Sequence, residues 1–110
     1  VGMYNIQEST PEARELAALS ADSCLRLNHA VIALTDPERN KEAIMLCQEI
    51  DEIETKADKV LKKAITRLFQ NGGDVWVAMK LREFYVLQEE VLDCCDETAK
   101  TIEEILIENS

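Results

Sequence analysis

At 110 residues the chain has room for one domain with one modest core, and a hydrophobic content of 46% excludes wholesale disorder. Its formal charge of -10, from 22 acids against 12 bases, disfavours nucleic acid and anionic membrane surfaces as partners. It leaves metal cations or basic protein surfaces. Only 3 Gly and 2 Pro interrupt a sequence rich in Ala, Leu, Ile, Glu and Lys, so the expected structure is a few long helices.

The chain starts at Val1, in mid-stride, which fits a preceding N-terminal part. Thr10-Pro11-Glu12 then reads as N-cap, N1 and N2 of a first helix: a side-chain acceptor, a preset φ and an acid at the positive end. Asp36-Pro37-Glu38 repeats the device for a second helix. Asn71-Gly72-Gly73 supplies a left-handed helix end, and Asp74 a third N-cap. Helices are therefore predicted at roughly 11–34, 37–70 and 75–108. No alternation of period two marks a strand. No apolar run approaches the ~18 residues of a membrane span, and no signal-peptide pattern opens the chain.

Residues three and four apart give each helix a buried stripe. The first carries Leu16, Ser20, Ser23, Leu27, Ala30 and Leu34. The second carries Cys47, Ile50, Ala57, Leu61, Ala64 and Leu68, and the third Leu81, Phe84, Val91, Cys95, Ile102 and Ile105. Short connections make neighbours antiparallel, so the predicted fold is an all-α, up-down-up three-helix bundle. Leu19, Leu25 and Ile32 form a second apolar face on the first helix. A helix apolar on two sides expects cover on two sides, from a missing N-terminal bundle or a second copy of the chain.

Cys24, Cys47, Cys94 and Cys95 contain no CxxC pair, and His29 is the one histidine, so a Cys/His zinc site is poorly supported. Cys94 and Cys95 point to different helix faces, while Cys47 and Cys95 fall on apolar stripes as small hydrophobes. The chain reads as reduced and cytoplasmic. His29 is placed on the outer side of the first helix with Asp22, and Trp76 and Tyr85 in core or rim packing. Lys56, Lys59, Lys62, Lys63 and Arg67 make a basic strip that suits the C-terminal half of a helix dipole. No phosphate loop, nucleophile elbow or Cys–His spacing points to an enzyme.

The acids raise a sharper question. Glu54 falls on the buried stripe of the second helix, with Asp51 and Asp58 at its edge one turn to either side. Such stacked acids repel, and a lysine, water or a metal ion must offset the cost; Lys62 is the nearest lysine on that side. Glu89 and Asp93 repeat the spacing on the third helix, with Asp96 and Glu97 beyond them. By helical angle Glu89 and Asp93 turn outward, which leaves open whether the two pairs converge. Carboxylates four apart can share a hard cation. The Glu-x-x-His pattern of di-iron bundles is absent.

The runs EIDEIETKADKVLKKAITRLF, FYVLQEEVLDCCDETAKTIEEIL and YNIQESTPEARELA, in that family's order, resemble the PhoU-like family of phosphate-transport regulators. The branch they resemble accompanies low-affinity phosphate permeases. The resemblance covers nearly the whole chain. It implies the second of two similar three-helix bundles, acting as a non-enzymatic regulator or accessory of inorganic phosphate transport. It also implies a cytoplasmic place, peripheral at the inner membrane through a permease or its cytoplasmic loops. Glu54, Asp58, Glu89 and Asp93 match the family's acidic metal motifs, which hold iron or zinc on the bundle surface; Asp51, Asp96 and Glu97 are additional candidates. Leu19, Leu25 and Ile32 would meet the partner. The competing expectation is a helical interaction or oligomerisation module whose acids are simply solvated.

Overall fold

A computed structural model describes residues 10–68, 70 and 73–109, and the architecture is an all-α three-helix bundle. Helix α1 spans Pro11–Leu34, α2 Asn40–Leu68 and α3 Val75–Glu108, with a 3-10 turn at Pro37–Arg39 before α2. No strand occurs among the described residues. Every pair of helices packs together, in a rod of 55 × 21 × 16 Å. A helix of α3's length is itself ~51 Å long, so short links fit the rod only if successive helices run antiparallel. No helix among the described residues is long and apolar enough to cross a membrane.

The starts form as their sequences dictate. Thr10 Oγ1 accepts from the Ala13 N–H at 3.2 Å, and Asp74 caps α3 by accepting from the Trp76 N–H at 2.9 Å. Asp36 also caps, accepting from the Glu38 N–H, but the helix it starts is the 3-10 turn. The regular second helix therefore begins three residues later than expected. The left-handed end expected at Asn71-Gly72 lies outside the described residues.

The buried side chains follow a 3/4 heptad spacing on all three helices. On α1 and α2 these follow the expected stripes, with Glu12, Ala13, Ala33, Ala43 and Ile53 added and Leu27, Leu34 and Leu68 only half-buried. On α3 the stripe is partly displaced by one residue. Tyr85, Leu92, Ala99 and Leu106 are buried, whereas Val91 and Ile105 are exposed and Phe84 is half-buried. The sequence is ambiguous there, because 84/85, 91/92 and 105/106 are all apolar pairs; contact with α1 and α2 selects the second member. Leu19 packs against the core and is not part of an open face. Leu25 and Ile32 are exposed, and Trp76, expected in packing, is 71% exposed.

Two apolar clusters fill the rod. One contains Leu16, Ile53, Leu61, Tyr85 and Leu92; the other is built of small residues, Ala30, Ala33, Ala43, Cys47 and Ala99, with Ile50 and Ile102. On α1 the seam between them turns polar at Ser20 and Ser23, while Glu54 on α2 and Gln88 on α3 interrupt the first cluster, between Ile53 and Ala57 and between Tyr85 and Leu92. The Ser20 hydroxyl donates to Gln88 Oε1, from α1 to α3.

Candidate functional site

The four acids singled out by spacing line one groove. Glu54 and Asp58 from α2 meet Glu89 and Asp93 from α3 over a floor of Leu16, Ala57, Leu61 and Leu92. The corrected α3 register explains the meeting. With Leu92 pointing inward, its helical neighbours Glu89 and Asp93 flank the α2–α3 seam while remaining exposed. The cavity is small, about 60 Å³, which admits a few waters or an ion but not a metabolite.

Electrostatics mark the same place. The Glu54 carboxyl is pushed up to about 7, chiefly by burial. The neighbouring Asp96 carboxylate and the negative charge of Asp93 add to this, and Lys100 opposes it. Asp96 is 3% exposed and its Oδ1 lacks a hydrogen-bond partner among the described residues. A proton on Glu54 gives that oxygen region a donor. Lys100 Nζ stands 3.1 Å from the other Asp96 oxygen and 3.9 Å from Asp51, while Lys62 reaches Asp58 at 3.1 Å. Lysines thus offset part of the acidic repulsion. Glu54, Glu89 and Asp93 form no ion pair among the described residues.

The donor set is all carboxylate oxygen, which suits a hard cation. In the present rotamers no three His, Cys, Asp or Glu side chains among the described residues converge as a metal site. Glu89 and Asp93 are exposed, so the charge of the groove fits a cation while its ligands would have to turn inward. Asp51 is exposed and paired with Lys100, Glu97 is exposed, and neither lines the groove. Asp96 serves from behind as a buried neighbour of Glu54. The Asp96–Lys100 spacing of four was the readable signal for that pair.

Other pairings escaped the sequence. Arg67, expected in a basic strip, donates to Glu12 at 2.8 Å, where the acid is 6% exposed. Arg26 links Asp22 on its own helix to Glu49 on α2; Asp22 is thereby engaged, and His29 stays exposed. The contacts of Arg67 and of Arg26 with Glu49 join residues far apart in sequence and leave no periodic trace.

No family model and no solved structure matches the chain. Over 62 residues, 56% of the chain, it is 32% identical to the UPF0111 protein YkaA of Bacillus subtilis (strain 168). The match spans about three-tenths of that relative, 30% of its length.

Proposed function

We propose that this chain is a non-enzymatic accessory or regulator of inorganic phosphate transport that holds a cation in the α2–α3 acidic groove. The observation that carries the reading is the convergence of Glu54, Asp58, Glu89 and Asp93 on one small cavity. The resemblance of those same positions to the acidic motifs of PhoU-like proteins supplies the phosphate link and names iron or zinc as the cation. The likeness to UPF0111 protein YkaA adds a curated relative whose name states no activity. The test is a titration of the purified chain with iron(II), zinc and magnesium, beside Glu54→Gln/Asp58→Asn and Glu89→Gln/Asp93→Asn. Saturable binding lost in both double variants is expected. Weak binding that both variants retain would reduce the groove to a solvated acidic face.

Regulation would run through protein contacts at the cytoplasmic side of a phosphate permease, since the groove has no room for a metabolite. Leu25 and Ile32, 55% and 51% exposed on α1, are the apolar residues offered to such a partner or to a second bundle. Leu25→Asp is expected to abolish co-purification with the permease while leaving the helical signal intact. Unchanged co-purification would remove this face from the proposal.

A further inference from the structure

Away from the acidic groove, two cysteines that are 71 residues apart in sequence touch. Cys24 Sγ on α1 lies 3.7 Å from Cys95 Sγ on α3, and all four cysteines are free thiols. The contact follows from the small and polar seam at mid-height: Ser20 and Ser23 on α1 let α3 come close, and Ser20 pins it through Gln88. The two sulfurs differ in access. Cys24 is exposed, whereas Cys95 is 5% exposed. Neither the spacing of the cysteines nor their absence from a CxxC motif announces this pair.

We propose that Cys24 and Cys95 form an oxidation site, a dithiol that hydroperoxides convert into a disulfide joining α1 to α3, with Cys47 and Cys94 left as thiols. Cys24 is the sulfur that meets the oxidant. Its thiolate attacks the terminal peroxide oxygen, an S–O bond forms, the O–O bond breaks, and hydroxide, or the alkoxide of an organic hydroperoxide, leaves to take up a proton. Cys95 then gives up its proton and attacks the Cys24 sulfur; the S–S bond forms, the S–O bond breaks, and water leaves. Two electrons pass from the sulfur pair to the peroxide.

The surroundings assign these roles. Cys24 is open to solvent and Cys95 is buried, so Cys24 meets the peroxide first and Cys95 is the natural resolving thiol. Ser23 Oγ is buried and has no hydrogen-bond partner among the described residues. Closure needs the sulfurs to approach from 3.7 Å to about 2.05 Å. Cys47 is buried in the alanine-rich cluster and pushed up to about 11, chiefly by burial. Cys94 is exposed, one position and about 100° round the helix from Cys95, and is the competitor to exclude. In a reducing compartment such a pair suits transient sensing rather than a permanent staple.

The test treats the reduced, dilute chain with hydrogen peroxide, blocks remaining thiols with iodoacetamide, and maps non-reduced peptides by mass spectrometry. Cys24→Ser, Cys94→Ser and Cys95→Ser variants run alongside. The expected result is a monomer that loses two of its four alkylatable thiols and yields a Cys24–Cys95 linked peptide. Its melting temperature should rise and return on adding dithiothreitol. Cys94→Ser should behave as wild type, and the other two variants should form no internal link. The proposal falls if wild-type Cys24 stays alkylatable while Cys94 oxidises, if the only disulfides join two chains, or if Cys24→Ser still loses two thiols.

Discussion

Glu54 occupies the seam position of α2 between Ile50 and Ala57, where a bundle ordinarily places an apolar side chain. Its carboxyl is raised from an ordinary 4.5 to about 7, first by burial and then by Asp96 and Asp93. The sign of the linkage follows. Between those values the folded chain holds a proton that the unfolded chain has released. Stability from this group is therefore greatest below about pH 4.5 and declines as pH rises to about 7. With chelator present, the urea midpoint of the wild type should fall between about pH 5 and about pH 8. Glu54→Gln should flatten that fall and give the higher midpoint at the upper pH. Parallel slopes for the two proteins would place the titration elsewhere. Repulsion among the stacked acids is offset in part by lysines, through Lys62 and Lys100. It is offset in part by this proton, which leaves a groove whose remaining charge a cation would neutralise.

At the scale of the helices, the two ends of the rod are packed differently. The end with Leu16, Leu61, Tyr85 and Leu92 is filled by large side chains, and Thr10 Oγ1 meets the Tyr85 hydroxyl at 2.7 Å, tying the start of α1 to α3. The opposite end relies on Ala30, Ala33, Ala43 and Ala99, which are all fully buried and let the backbones come close. Ala99→Leu should therefore cost about 1–3 kcal/mol by overpacking, read from chemical denaturation. A neutral result would mean that this end can spread without loss. The register of α3 belongs to this scale as well. Val91 and Leu92 are both apolar in sequence, yet Leu92 is buried and Val91 is exposed. Only the fit against α1 and α2 decides which of the two turns inward.

For the molecule as a whole, the chain carries 22 acids against 12 bases, and the excess of like charge is repulsive. Several acids are paired, but the pairs are mostly exposed, and exposed pairs contribute little. Screening should therefore stabilise the fold. Raising sodium chloride from about 0.02 M to about 0.5 M shortens the Debye length several-fold and should raise the melting temperature. A fall would show that ion pairs such as Arg67–Glu12 outweigh the net repulsion.

The sequence by itself determined the class of fold, the three helices, the N-caps of α1 and α3 at Thr10 and Asp74, the cap of the 3-10 turn at Asp36, and most of the stripes of α1 and α2. All of these are local or periodic properties, set by φ preferences, side-chain capping and 3.6-residue geometry. It also marked the carboxylates, because i,i+4 spacing is visible along one helix. The tertiary structure decided which apolar neighbour on α3 is buried, and so whether Glu89 and Asp93 face the α2 acids. It brought Arg67 to Glu12 and Cys24 to Cys95, and it turned Asp96 inward against Glu54. Those outcomes depend on the rotation of one helix against two others. That rotation is fixed by the summed fit of side chains from all three helices, and no single stretch of sequence encodes it.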